Sequence, residues 1–273
     1  MSEASWAALA LAIMVGCFWA GFIVQRSLHE THRSRDSVDS IRVVITLLVT
    51  FADVVLGLLI STTQARFVGI EVGLRALSAD ISELDERLRT YGGAANPIRA
   101  ALIEYTRAAI ADTWRDEPPP PGVYPRNLTR MSEGSVESVE LSTLLAQTDL
   151  AIRSLVPASD VQRSLIRQIE ARMTALLDQR LTLIESARPS ISWPFMAILM
   201  FWLAAIFAIA GLSSSRNVVV FASTVLAALS VASSIYLALD LDTPLTGVIT
   251  VSSAPMRDAL THILLPPLPA GVN

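Results

Sequence analysis

One stretch decides the fold, residues 43–91, which read VVITLLVTFADVVLGLLISTTQARFVGIEVGLRALSADISELDERLRTY. Its first part, Val43–Ser61, is an apolar run of about 20 residues, the length at which a helix crosses a bilayer. Beyond it, apolar residues recur in alternating steps of three and four, at Phe67, Ile70, Leu74, Leu77, Ile81, Leu84, Leu88 and Tyr91. This heptad seam is typical of a coiled coil or a tightly packed helical pair. No proline interrupts the stretch, so we expect one helix to run from the membrane segment to Gly92-Gly93.

Three further apolar runs have the length of a membrane span: Trp6–Val24, Ile191–Leu212 and Val218–Leu239. The four runs form two pairs, each joined by a short loop. We therefore predict an all-α membrane protein with four transmembrane helices in two hairpins, at 1–61 and 191–239. A helical, coiled-coil-like extramembrane domain, 62–190, is inserted between the hairpins, and a tail follows at 240–273.

Helix signals divide the inserted domain. We predict helices at about 62–91, 97–114, 136–155 and 159–188, with a proline-bearing loop at 115–135. Asn96-Pro97 is typical of a helix start, with Asn as N-cap, and Ser159 with Gln162 forms a capping-box pair. In the tail, the alternation from Gly247 to Ser252 predicts a short strand, followed by a short helix.

Composition supports a membrane protein with a sizeable polar part. The chain has 273 residues, of which 52% are hydrophobic and 17% charged, and its mean hydropathy is +0.50. Soluble domains carry about a quarter charged residues, so an ordinary cytosolic enzyme, a disordered chain and a disulfide scaffold are excluded. The net charge of −4 gives no reason to expect a nucleic-acid partner. The expected partners are the lipid bilayer, further copies of the chain and inorganic ions.

The second span carries a polar stripe made of Thr46, Thr50, Asp53, Gly57 and Ser61. Their steps of four, three, four and four place them on one helix face. A carboxylate facing lipid costs about 2.5 kcal/mol or more, so Asp53 is expected to face a pore, a partner helix or a water-filled cavity. Two interpretations stay open: a pore-lining or proton-handling carboxylate, or a protonated Asp hydrogen-bonded to a neighbouring helix such as the serine-rich fourth span.

The first span carries a ridge of small residues at a regular spacing of four: Ala8, Ala12, Gly16 and Ala20. Such ridges let helices approach closely. Packing within the four-helix unit is favoured over a ligand site, and packing between subunits fits the same spacing.

Two acidic residues, Asp240 and Asp242, follow the fourth span. In an oligomer they can form an acidic ring, which favours cations. They can equally cap the turn that Thr243-Pro244 begins.

The sequence offers no catalytic or metal-binding set. His29-Glu30-Thr31-His32 in the first loop lacks the spacing of the zinc-protease motif and is interpreted as a solvated loop. No nucleophile with its base, no phosphate-binding glycine loop and no paired carboxylates are recognised. We therefore predict that the protein is not an enzyme and has no metal or cofactor.

Two groups of residues resemble the bacterial bestrophin-like domain family, four-span membrane proteins of unestablished function. The first comprises Leu56-Gly57-Leu58-Leu59, Leu84-Asp85, Leu88-Arg89, Tyr91-Gly92 and Thr113-Trp114, and the second, more specific one is Asp242-x-Pro244-x-x-Gly247-x-Ile249-x-Val251-Ser252. The resemblance covers most of the chain and implies kinship with bestrophins, which are pentameric anion channels with a mostly helical cytoplasmic domain. The family tends to have a small apolar residue where this chain has Asp53.

The predicted function is a homo-oligomeric ion channel of bestrophin-like type, with the second span lining its pore. A non-conducting scaffold or sensor acting through the helical domain is the alternative. We expect the bacterial inner (plasma) membrane. Orientation stays open, because the arginines of the first loop favour a cytoplasmic loop, whereas the resemblance implies that residues 62–190 are cytoplasmic.

Overall fold

The computed structural model describes residues 3–27, 35–125, 138–214 and 217–265. The α-helices of this part are α1 (Glu3–Ser27), α2 (Arg35–Tyr91), α3 (Asn96–Thr113), α4 (Val139–Arg153), α5 (Asp160–Ser186), α6 (Trp193–Leu212), α7 (Val218–Leu241) and α8 (Ala254–Leu264). Four of them, α1, α2, α6 and α7, contain a segment long and apolar enough to cross a membrane. The all-helical fold with four spans is therefore confirmed.

The chain divides into two compact units, and α2 contributes to both. The membrane unit comprises Met1–Phe67 and Pro189–Ile249, and the helical unit comprises Val68–Arg188 and Thr250–Asn273. The tail is thus not a separate segment, because its last helix belongs to the helical unit. There α8 packs on α3, and the Trp114 indole N–H donates to the carbonyl oxygen of Val251 at 2.8 Å.

In the membrane unit, α1 packs against α6 and α7. Its buried face is formed by Ala10, Met14 and Phe18. A Cβ on Gly21 would overlap the carbonyl oxygen of Ala208, and one on Gly211 would overlap that of Phe18. The backbones of α1 and α6 therefore touch at two glycines that the sequence analysis did not single out.

The predicted small-residue ridge lies on another face of α1. Ala8, Ala12, Gly16 and Ala20 are all exposed, and a Cβ added to Gly16 would meet no atom of the described residues within 4 Å. The interpretation that this ridge packs within the four-helix unit is therefore wrong. The ridge is left for lipid or another chain, because the close approach of α1 uses Gly21 instead.

From Ile70 to Tyr91 the heptad seam is buried inside the helical unit, whereas its first member, Phe67, is half-buried and belongs to the membrane unit. Ile81, Leu84 and Leu88 have no exposed surface. Antiparallel α5 runs beside this half of α2: the side-chain amide of Gln179 donates to the carbonyl oxygen of Gly73 at 3.1 Å, and Arg172 pairs with Glu83 at 2.9 Å. The seam half of α2 therefore packs against another helix of the same subunit.

Local details of the chain differ from the predictions at three points. The short strand expected between Gly247 and Ser252 does not form, because the backbone N–H groups of Val248 and Ile249 donate to the Asp240 carboxylate rather than to another strand. Asn96 is the first residue of α3 rather than its N-cap. Ser159 accepts from the backbone N–H of Gln162 as expected, but the Gln162 side chain accepts from Ala158.

Candidate pore-facing site

The polar stripe lies on the outward face of α2 in the membrane unit. Thr46, Thr50, Asp53, Gly57 and Ser61 are all exposed in the single chain. At 3.6 residues per turn they occupy a sector of about 80° around the helix axis. The buried residues of the same segment, Ala52, Leu56 and Leu59, are centred about 130° away. The subunit therefore leaves its polar face of α2 uncovered.

The threonines of the stripe need no partner from another helix. The hydroxyl of Thr46 donates to the carbonyl oxygen of Arg42 at 2.9 Å, and that of Thr50 donates to Thr46 at 2.8 Å. These bonds along α2 fix the hydroxyl oxygens as acceptors on the exposed surface.

Asp53 has no such partner. Among the described residues, no hydrogen bond or ion pair reaches its carboxyl group. The serines of α7 do not provide one, since the hydroxyl of Ser223 donates to the carbonyl oxygen of Val219 at 2.8 Å. Bonding of Asp53 to the fourth span, one of the two interpretations of this residue, is thus not what the structure has.

Asp240 closes the turn after α7. It is 1% exposed, and its two oxygens each accept a backbone N–H at 2.8 Å, from Val248 and Ile249. A Cβ on Gly247 would lie 2.6 Å from one of these oxygens, so only glycine fits beside the carboxylate. Of the two alternatives for Asp240, an acidic ring and a turn cap, this geometry fits the turn cap.

Asp242 joins three segments of the membrane unit. Its carboxylate accepts the backbone N–H groups of Ser190 and Ile191 at 2.9 and 3.1 Å, just before α6 begins. It also pairs with Arg66 of α2 at 3.3 Å. Because charge-assisted bonds inside the subunit use both oxygens, Asp242 is not available as a free ring charge.

A buried ion cluster in the helical unit was not predicted as a site. Asp85 has no exposed surface and pairs with Arg89 at 2.6 Å and Arg99 at 2.7 Å. Arg89 also donates to the carbonyl oxygen of His262, and both arginines donate to that of Ile263. The cluster therefore holds the end of α8 on the helical unit. Its sequence signal was the Leu84-Asp85, Leu88-Arg89 pattern, which names two members but not Arg99.

Burial raises the pKa of two side chains in the helical unit, Asp80 and Tyr105. The pKa of Asp80 is raised because burial desolvates its carboxylate; Arg172 opposes this shift and Glu83 adds to it. The pKa of Tyr105 is also raised by burial, against the opposing charge and hydrogen bond of Arg180. Asp80 lies on α2 and Tyr105 on α3, and the two arginines that oppose the shifts, Arg172 and Arg180, lie on α5.

Histidines and acidic residues are the side chains most relevant to a metal site. His29-Glu30-Thr31-His32 lies outside the described residues. Within the described ones, no group of three or more His, Cys, Asp or Glu side chains is arranged to hold a metal ion.

Four apolar helices and an uncovered polar stripe define a multi-pass helical membrane protein. The family model of the Bestrophin-like domain matches residues 12–256, so the chain belongs to the bestrophin-like family. This confirms the family resemblance found in the sequence. Among curated proteins, no sequence matches the chain.

Solved structures share the fold at low sequence identity. A bacterial bestrophin homologue from Klebsiella pneumoniae with a tryptophan-to-alanine substitution superimposes with a TM-score of 0.64 at 16% identity, covering 97% of each chain. A membrane protein with a proline-to-alanine substitution gives 0.63 at 18% identity, covering 95% of this chain and 98% of that one. A Klebsiella pneumoniae homologue with an isoleucine-to-threonine substitution gives 0.62 at 17% identity, covering 94% and 99%.

Proposed function

We propose that the protein is a homo-oligomeric ion channel whose pore is lined by α2 through Thr46, Thr50, Asp53, Gly57 and Ser61. The observation that carries this proposal is the exposed polar stripe, in which the Asp53 carboxylate has no partner among the described residues. Membership of the bestrophin-like family supports a channel over other kinds of membrane protein. The inner membrane of a bacterium is the proposed location.

Energetics favour a second chain over lipid beside the stripe. An Asp at the centre of a lipid-facing helix costs about 2.5–3.5 kcal/mol on insertion scales. A ring of copies around a water-filled axis removes this cost without any change within the subunit. The adjoining face of α2 supplies exposed apolar side chains for lipid or subunit contacts: Leu47, Phe51, Val54 and Leu58.

The charge of the stripe points to cations. One carboxylate per subunit forms a ring of negative charge in a closed oligomer, and such rings favour cations. Asp240 and Asp242 do not add to this ring, because their oxygens bind backbone N–H groups and Arg66. We therefore propose cation rather than anion permeation, although the family resemblance by itself implies anion channels.

The test is ion flux through the purified protein in lipid vesicles. Asp53→Asn keeps the size of the side chain and removes its charge, so we expect cation selectivity to fall or reverse. Val54→Thr, a shape-conserving change of an exposed neighbour outside the stripe, is the matched control and is expected to leave selectivity unchanged. Equal selectivity of wild type and Asp53→Asn would remove Asp53 from the pore.

A non-conducting scaffold or sensor is the second candidate. Its favouring observation is exposed apolar surface on the helical unit, where Val123 is 90% and Val156 is 86% exposed. Vesicles that pass neither cations nor anions, together with a partner protein whose capture is lost in a Val123→Ser, Val156→Ser variant, would favour this candidate over the channel.

A further inference from the structure

A cleft of about 470 Å³ opens between α2, α6 and α7 in the membrane unit. Its walls are largely apolar and include Leu203, Phe207, Val219 and Val231. Among the described residues that line it, Asp53 is the only ionisable one. Clefts of 300–1,000 Å³ with apolar walls and a few placed polar groups are typical of small-molecule sites.

The cleft combines a carboxylate with apolar walls, so it favours a ligand that carries both a positive charge and apolar groups. Asp53 offers a carboxylate with no partner among the described residues. In an apolar surrounding, its attraction for a cation is stronger than in water. Moving an alkyl group of that cation from water to the apolar walls of the cleft lowers the free energy of the bound state.

A bare metal ion fits this cleft poorly. Ca²⁺ takes six to eight oxygen ligands, and Mg²⁺ also requires several. Beside the carboxylate, the lining offers the hydroxyls of Ser223 and Thr224, which donate to the carbonyl oxygens of Val219 and Val220. An organic cation needs one counter-charge only and fills the rest of the space with carbon.

We propose that this cleft binds a hydrophobic organic cation, an alkylammonium whose charge lies at Asp53 and whose alkyl groups pack on Leu203, Phe207 and Val231. Asp53 is also the member of the polar stripe nearest the cleft. If the proposed channel function holds, a bound cation neutralises part of the ring charge from the side and reduces cation flux. Binding itself requires no conduction.

The experiment measures equilibrium binding of radiolabelled tetrapentylammonium to the full-length protein in phosphatidylcholine nanodiscs. We expect saturable binding of one cation per chain and no saturable binding of pentanesulfonate, which has similar alkyl groups and the opposite charge. Asp53→Asn is expected to weaken binding at least tenfold, whereas Asp53→Glu, which keeps the charge, is expected to retain it.

Two tryptophan substitutions on α7 form a matched pair. Ala227 lines the cleft, so Ala227→Trp fills it and is expected to weaken binding as strongly as Asp53→Asn. Ala222 is exposed on the same helix but does not line the cleft, so Ala222→Trp is expected to bind like the wild type. Circular dichroism and gel filtration of each variant identify any that fails to fold or changes its oligomeric state.

Several results would overturn the proposal. Uptake that does not saturate and is equal in all variants means partition into lipid only. Unchanged affinity in folded Asp53→Asn removes the carboxylate from the site. An empty wild-type cleft, with Ala227→Trp breaking the oligomer, means that another copy of the chain fills it. Flux from the same preparation separates the two proposals: conduction without binding rejects the cleft, and binding without conduction rejects the channel.

Discussion

The two halves of α2 differ in the surroundings of their acidic residues: Asp85 is buried in ion pairs, whereas Asp53 is exposed. In the helical unit, the apolar seam of α2 is buried and Asp85 is enclosed by Arg89 and Arg99. In the membrane unit, Asp53 is exposed and has no partner among the described residues. The negative charge of Asp85 is thus balanced by arginines of the same subunit. Asp53 has no such arginine among the described residues, so its partner is expected to come from solvent, an ion or another copy of the chain.

Removing the Asp85 charge should produce the largest effect. Asp85→Ala leaves two largely buried guanidinium groups without their carboxylate, and breaking a buried pair in this way costs about 3–5 kcal/mol. The measurement is unfolding of the full-length protein in detergent, followed by circular dichroism.

Glu71→Ala is its control, because Glu71 pairs with Arg75 at the surface and exposed pairs contribute about 0–1 kcal/mol. Equal losses in the two variants would contradict the distinction between a compensated core and an exposed surface.

A pair of glycines on α1 tests the membrane unit. Gly21→Ala forces α1 and α6 apart, since the new Cβ would overlap the carbonyl oxygen of Ala208. Overpacking of this kind costs about 1–3 kcal/mol, measured as a lower midpoint of unfolding in detergent. The new methyl group of Gly16→Ala meets no atom of the described part of the chain within 4 Å, so this variant should leave the midpoint unchanged. The reverse order of the two variants would mean that the exposed ridge carries the packing.

Asp240→Asn separates turn cap from charge ring. The amide has one oxygen where the carboxylate has two, so one of the N–H groups of Val248 and Ile249 loses its acceptor. A buried unsatisfied donor costs about 1–3 kcal/mol. We expect this loss of stability with unchanged ion selectivity in vesicles. A change of selectivity at unchanged stability would make Asp240 a ring charge after all.

The smallest expected effect is a change in how stability depends on pH. Burial raises the pKa of Asp80 in the folded protein above its ordinary value of 3.8, so the folded state binds a proton more readily than the unfolded state. Stability therefore falls as pH rises from about 3.8 through the raised pKa. Asp80→Asn should flatten this part of the stability profile, measured by unfolding at a series of pH values. If the stability of Asp80→Asn depended on pH as steeply as that of the wild type, another titrating group would be responsible for the pH dependence.

The sequence predicts best those features that depend on length and periodicity. Four runs of about 20 apolar residues sufficed for the spans, and steps of three and four sufficed for the seam. Features that depend on a partner were missed or misassigned. Nothing in the sequence around Gly21 shows that α6 packs against it. Arg99 was missed because it lies 14 residues from Asp85 along the chain. The alternation at 247–252 resembled a strand because sequence alone does not reveal that Asp240 takes the backbone N–H groups.

The candidate site follows the same division. The spacing of Thr46, Thr50, Asp53, Gly57 and Ser61 was sufficient to predict a common face. Whether the subunit covers that face depends on how α6 and α7 pack, which no spacing encodes. Its exposure in the structure is what turns a polar stripe into a proposed pore lining.

The central claim is that copies of this chain cover the polar stripe around a common axis. The most direct measurement is single-particle imaging of the full-length protein in lipid nanodiscs, at a resolution that assigns α2. We predict a closed ring with Thr50, Asp53 and Gly57 facing a central channel. A monomer, or a ring in which the stripe of α2 points away from the axis, would contradict it.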